Sequence, residues 1–404
     1  MAITPHHPTT EVQRLVSQGV TACLSSDPAS FGTLMEVVRS LDLLDRDDLV
    51  DAALVRAAAP HLGTLWERGW SPLDVVHVAQ HRFQRTLAAV MADIVLADGR
   101  LESPDRPAAW DDELAELRSR RRKRPPSRDE FGKLLDRFDM VRMVVRLPRI
   151  VPVVDPPSAW GKLPVRPAHR QPEGVEPRML DRIRALLAKA ESTTFDAEAD
   201  AFMAKAQELM ARYAIDHAMI EASSSPQGLA AGVRARRVHI DDPYAPQKAQ
   251  LLGVVASTNG AKVVWHDDFG SATVMGFDVE LDLTELTFTS LLVQMTRSMA
   301  AAGGPGSRTR SPAFRRAFVL SFAVRIGERL DEAVQAARDE AGHTYGAALV
   351  PVQEARDAAV RDRAAEWFPN TTPMRSRSVD AGGWHAGRLA ADLAHIDRAR
   401  AAVD

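Results

Sequence analysis

Met179-Leu180-Asp181-Arg182-Ile183-Arg184-Ala185-Leu186-Leu187-Ala188-Lys189-Ala190-Glu191 is the stretch on which the reading of this chain turns. Leu180, Ile183, Leu186, Leu187 and Ala190 recur at helical spacing and make one apolar face. Ser192-Thr193-Thr194-Phe195-Asp196 breaks the period, and a second stripe follows on Ala199, Phe202, Ala206, Leu209, Met210 and Tyr213. Two amphipathic helices joined by so short a turn predict an αα-hairpin over 179–221.

Downstream the period changes from helical to alternating. Val233–Ile240 reads as a strand and Pro246–Ser257 as a helix. Ala261–Trp265 and Ser271–Met275 are short β runs joined by Asp267-Asp268-Phe269-Gly270, a hairpin turn. Asp278 is placed to cap a long helix through Val279, Leu283, Leu286, Leu291 and Met295, and Phe314, Phe318, Phe322, Ile326 and Leu330 mark the next. Further helices over 351–368 and 380–400 complete an α+β C-terminal domain, 230–404. Upstream, residues 1–98 read as a helical domain with stripes on Val12, Leu15, Val16 and on Phe31, Leu34, Met35, Val38, Leu41; Ser71 caps a helix that Pro72 opens. Residues 99–178 hold 12 of the 25 prolines and read as a basic, Pro-rich inter-domain linker with short helices at Trp110–Arg121 and Arg128–Arg146. The expected fold class is mainly α and multi-domain: an N-terminal helical domain, an αα-hairpin, and a C-terminal α+β domain with a small sheet.

Three phrases of the hairpin carry a family likeness. The first helix ends in Leu186-Leu187-Ala188-Lys189-Ala190, Glu198-Ala199 enters the second, and Lys205-Ala206-Gln207-Glu208-Leu209-Met210-Ala211-Arg212-Tyr213 closes it. This pattern resembles the bacterial and phage domain-of-unknown-function family numbered 2786. Gly276-Phe277-Asp278-Val279 and Phe318–Ala323 look like the α+β segment that commonly follows the hairpin in that family. Leu65-Trp66-Glu67-Arg68-Gly69-Trp70 is similar to the helical extension of its longer bacterial members. The resemblance implies architecture and carries no catalytic residues, because the family has no established activity.

Composition narrows the function class. The 404 residues include 51 Lys and Arg against 54 Asp and Glu, a net of −3, but the charge is segregated. Residues 1–117 hold 9 basic and 18 acidic side chains, residues 118–178 hold 16 and 7, and residues 179–404 hold 26 and 29. A −9 head beside a +9 segment is the asymmetry expected of a polyanion partner or an internal electrostatic contact. The cations are 44 Arg and 7 Lys, an excess that genomic base composition also produces. The single Cys23 excludes an intramolecular disulfide and cysteine-based metal sites. No apolar run approaches the roughly 18–20 residues of a membrane span. The first residues lack the basic-then-apolar order of a signal peptide, so the expectation is a cytoplasmic protein without a membrane partner.

Candidate sites follow from charge and spacing. Arg118, Arg120, Arg121, Arg122, Lys123, Arg124 and Arg128 form a cationic run without an acid, and Arg308, Arg310, Arg315 and Arg316 surround a predicted helix start. Both sets suit phosphate contacts that do not read sequence. His239-Ile240-Asp241-Asp242 and Trp265-His266-Asp267-Asp268 each follow a predicted strand. If the intervening helix makes a crossover, the strands are parallel and Asp241, Asp242, His266, Asp267 and Asp268 meet as a divalent-metal site; as turn and cap residues, the same Asp side chains need no metal. His77 and His81 lie one helical turn apart, but Val78 stands where a metalloprotease motif needs Glu. Ala381–Arg388 is Gly-rich but lacks the Lys-Ser/Thr ending of a phosphate loop. The leading expectation is a non-catalytic nucleic-acid-contacting protein without a cofactor. The alternatives are a metal-dependent phosphodiesterase or nuclease, using Mg²⁺ or Mn²⁺ on the His/Asp cluster, and a protein-interaction adaptor.

Overall fold

The computed structural model describes residues 8–44, 46–83, 85–121, 131–161, 177–192, 196–224, 232–302, 311–373 and 380–394. The chain separates into two units, Met1–Arg166 and Pro167–Asp404. It is mostly helical, with one small antiparallel sheet in the second unit. The boundary at 166 differs from the four-part division read from composition, and the differences have specific causes.

The first unit contains α1 (Pro8–Leu24), α2 (Ser30–Leu44), α3 (Asp47–Glu67), α4 (Pro72–Arg82), α5 (Arg85–Leu96), α6 (Ala108–Arg121) and α7 (Phe131–Arg146). Its stripes bury Val16, Val38, Leu54, Leu62, Met91 and Phe138. Ser71 caps α4 and exchanges hydrogen bonds with Asp74, whose carboxylate accepts from the Ser71 N–H while the Asp74 N–H donates to Ser71 Oγ. Cys23 is buried, donates its thiol to the Phe138 carbonyl, and is pushed up in pKa by desolvation.

The supposed linker is largely part of this unit. Trp110, Leu114 and Leu117 of α6 and Phe138 and Val141 of α7 are all buried. The proline-rich stretch after α7 is held by groups from elsewhere. Trp70 Nε1 donates to the Pro148 carbonyl at 2.7 Å, Arg68 donates to the carbonyls of Val145 and Leu147, and the Ile150 N–H donates to the Arg68 carbonyl at 2.8 Å. Gly69 sits at φ +94°, and a Cβ there would lie 2.5 Å from the Ile150 oxygen. Trp66 packs edge-on against Trp110 at 5.5 Å, and Trp110 against Trp160 at 5.3 Å. Prolines remove donors, so this segment contributes acceptors and borrows the indole and guanidinium N–H groups of the Leu65–Trp70 phrase.

The second unit begins with the hairpin, α8 (Pro177–Ser192) and α9 (Asp196–Ser224). Then come β1 (Arg234–His239), α10 (Ala245–Thr258), β2 (Lys262–His266), β3 (Ser271–Gly276), α11 (Asp278–Ala301), α12 (Pro312–Tyr345), α13 (Leu349–Trp367) and α14 (Ala381–Asp392). The hairpin does not close its core alone. Ile183 and Leu187 face Ala206, Leu209, Met210 and Tyr213, and Val279 and Leu283 of α11 complete the cluster. Phe277, not Asp278, is the N-cap of α11.

Sheet order is β1-β3-β2, with β3 antiparallel to both neighbours and buried along its length. One face, Ala272 and Val274 with half-buried Val238, Val263 and Trp265, packs on a core built from Leu251, Leu252, Phe318, Phe322 and Ile326 of α10 and α12. Against this core α12 and α14 run in the same direction in backbone contact. A Cβ on Gly383 would sit 2.2 Å from the Phe314 oxygen, and one on Gly387 2.2 Å from the Phe318 oxygen. Those glycines lie inside a helix, and close approach is their role. Buried Arg329 then donates to the carbonyls of Ala391, Asp392 and Ala394, neutralising the C-terminal end of α14.

Two stability outcomes follow. Gly387→Val forces the two backbones apart and should cost at least about 3 kcal/mol in urea denaturation; an unchanged midpoint would show the contact to be dispensable. Trp66 Nε1 donates to buried Asp98 at 2.8 Å. Trp66→Phe keeps a ring and removes that donor, so unfolding should become easier by about 1–3 kcal/mol, and a loss below measurement error would contradict a structural role for the bond.

Candidate functional site

The basic residues are placed by two helix ends. Arg118 and Arg120 are exposed near the end of α6, where Arg120 pairs with Glu116 one turn back at 2.5 Å. Arg121 closes that helix, and Arg122, Lys123, Arg124 and Arg128 lie outside the described residues. In the second unit Ser311 caps α12 by accepting from the Phe314 N–H at 3.1 Å, and Arg315 and Arg316 stand in its first turns, Arg316 exposed. Arg308 and Arg310 lie outside the described residues.

The His/Asp segments are brought to one end of the sheet. Because β1 and β2 are each antiparallel to β3, they are parallel to one another, with β3 between them. His239 and His266 both oppose Ser271, one on each side, which puts their backbones roughly 10 Å apart. The same face carries a polar row. Arg237 Nη1 donates to Thr273 Oγ1 at 2.6 Å, and His266 Nε2 shares a hydrogen bond with the same hydroxyl at 2.8 Å. Thr273 is fully buried and Ser271 nearly so. The His266 ring also lies 5.6 Å from that of Phe368, just beyond α13.

These residues are not arranged as one ligand set. Asp267 accepts from Trp265 Nε1 at 3.1 Å, and His266 is engaged by Thr273. The Asp241 carbonyl accepts from Lys248 Nζ at 2.7 Å, and burial lowers the pKa of that ammonium against the pull of Asp241 and Asp242. Tyr244, at φ +71°, turns the chain into α10. Among the described residues, no group of three or more His, Cys, Asp or Glu is placed to hold a metal ion. For the expected site on Asp241, Asp242, His266, Asp267 and Asp268, the strand ends share one sheet edge, while the Asp267 carboxylate and the His266 ring are engaged by Trp265 and Thr273. His77 is buried on α4 and its ring stacks on that of His81 at 6.4 Å.

A second place in the same unit was not foreseen. A cavity of about 110 Å³ lies between α9, α12 and α13 and is closed by the end of α10 and the start of α11. Its walls are Ala211, Ala214 and Ile215 against Leu330, Ala333 and Val334. At its floor is a buried ion pair: Arg356 donates to Glu280 Oε1 from Nη2 at 2.7 Å and from Nε at 3.1 Å. The second carboxylate oxygen accepts from the Phe277 N–H at 2.6 Å, and the guanidinium carbon stands 3.6 Å from the centre of the Phe277 ring. Glu280 is the third helical residue after the observed N-cap Phe277 and reaches back to its N–H, a spacing that the expected cap at Asp278 hides. Arg356 has none, sitting among the alternating charges of α13.

Similarity to other proteins is confined to the hairpin. A family model described as "Protein of unknown function (DUF2786)" matches residues 178–217, the segment formed by α8 and the first part of α9. No curated protein and no solved structure matches the chain. The segment recognised by sequence is thus the one whose apolar faces are completed by α11, and its family description assigns no activity.

Proposed function

We propose that this chain is a non-catalytic, cytoplasmic protein that contacts nucleic acid through its basic segments, Arg118–Arg128 first and the start of α12 second. The observation that carries the reading is charge segregation: seven cations without an acid over 118–128, next to a −9 stretch that ends at residue 117. Arg118 and Arg120 project from the end of α6, where the helix C-terminal dipole favours cations, and lead directly into that run. The exposed Arg316, one turn into α12, adds a cation at a helix N-terminus, whose free N–H groups and dipole suit phosphate. Contacts of this kind position a protein on a phosphate backbone without reading bases. The single buried cysteine fits a reducing compartment, and among the described residues no helix is long and apolar enough to cross a membrane.

Filter binding of the full chain to duplex DNA and to single-stranded RNA at about 50 and 200 mM salt tests the reading. Release of up to seven counterions should lower affinity by about three orders of magnitude or more across that range. Replacing Arg118, Arg120, Arg121, Arg122, Lys123, Arg124 and Arg128 with Ala should abolish most binding and flatten the salt slope. Absence of binding at low salt, or a slope that survives the substitutions, removes the proposal.

A further inference from the structure

We propose that the cavity between α9, α12 and α13 binds a free branched-chain aliphatic α-amino acid of valine or leucine size. This site belongs to the second unit, uses none of the basic segments, and is independent of nucleic-acid contact.

Alanine makes the space. Ala211 and Ala214 on α9 and Ala333 on α12 stand where longer side chains would fill the gap between the helices, and Ile215, Leu330 and Val334 supply the remaining apolar wall. An apolar cavity of about 150 Å³ accepts a benzene ring. At about 110 Å³ this one takes an alkyl group of three or four carbons and leaves a polar head at the mouth.

The floor makes no electrostatic demand on a ligand. Glu280 and Arg356 neutralise one another, and the carboxylate is further satisfied by the Phe277 N–H. Glu208, another lining residue, is paired with Lys205 at 2.7 Å. The remaining polar lining is different. Arg338 on α12 and Asp357 on α13, both exposed, and half-buried Gln353 line the same cavity, and none of the three makes a hydrogen bond or ion pair with another described residue. One cation, one anion and one amide beside a short apolar slot complement a carboxylate, an ammonium and an alkyl side chain on a single small molecule. A simple acid would meet Asp357 as a like charge, and a simple amine would meet Arg338 in the same way. The ammonium–carboxylate pair of an amino acid engages both.

Methyl-resolved NMR titration of the full chain tests the assignment with three probes of matched alkyl length: L-leucine, 4-methylpentanoate and isopentylamine. L-Leucine should give saturable shifts of the Ala214 and Ala333 methyl signals, with a dissociation constant of roughly 0.1 mM. Each analogue lacking one charge should bind at least about tenfold more weakly. Ala333→Phe fills the slot and should abolish leucine binding; if that variant fails to fold, Ala214→Leu fills it from the opposite wall. Asp357→Asn should weaken leucine about tenfold and leave 4-methylpentanoate no weaker, while Arg338→Gln should weaken leucine and leave isopentylamine no weaker. These crossed effects separate head-group recognition from a general loss of structure. The proposal is overturned if neither L-leucine nor L-valine gives a saturable shift up to about 10 mM, if the three probes bind equally, or if a folded slot-filling variant binds leucine like the native chain.

Discussion

The guanidinium of Arg356 lies between a carboxylate and an aromatic ring, and much of the second unit is arranged around it. Two charges taken out of water cost several kcal/mol each unless geometry and hydrogen bonds return it. Here Glu280 accepts twice from Arg356 and once from the Phe277 backbone, while the face of the Phe277 ring supports the cation. Phe277 is also the first residue after β3, the N-cap of α11, and a member of the cluster with Val233 and Val360. The pair therefore joins the sheet, the start of α11 and the middle of α13. Removing either partner would leave a buried charge uncompensated, at about 3–5 kcal/mol.

Two consequences follow from where α11 begins. Val279 and Leu283 are presented to the hairpin, which needs them to finish its core. The hairpin is in this sense a docking element: its stripes are strong enough to be read from sequence, yet its cluster is shared with a helix that begins 82 residues after Asp196, the end of its turn. The second consequence is the cavity. Its floor is the ion pair, and its walls are the faces of α9 and α12 that small side chains leave unfilled. A further tie at the far end, Tyr345 donating to Asp216 at 2.5 Å, links the end of α12 to α9 and raises the pKa of the phenol.

The first unit relies on a different device. Three tryptophans in sequence-distant segments, Trp66, Trp110 and Trp160, pack edge to face, and the indoles of Trp66 and Trp70 donate to Asp98 and Pro148. Tryptophan supplies a large apolar area and one directed donor. A proline-rich strand of chain, which cannot make a ladder of its own, is ordered by meeting such donors.

Much of the element map was legible from residue order. The strands at 234–239, 262–266 and 271–276 and the helices at 245–258 and 349–367 fall within two residues of their expected positions, because period-2 and period-3.6 patterns report which face of a segment is buried. The parallel relation of β1 and β2 was foreseen only conditionally, since β3 had to insert between them. Other features were illegible for physical reasons. Composition marks prolines 148–157 as extended but does not reveal the indole that will pair with them. Gly383 and Gly387 read as weak points in an expected helix until Phe314 and Phe318 bring their carbonyls against them. Arg356 and Glu280, 76 residues apart, are two among many surface-type charges until folding buries them together. The sequence by itself determined local periodicity, the hairpin and the segregation of charge, because each depends on neighbours in the chain. Tertiary structure alone decided the sheet order, the backbone contact of α12 with α14, and the cavity with its buried pair, because each depends on which distant surfaces exclude water from one another.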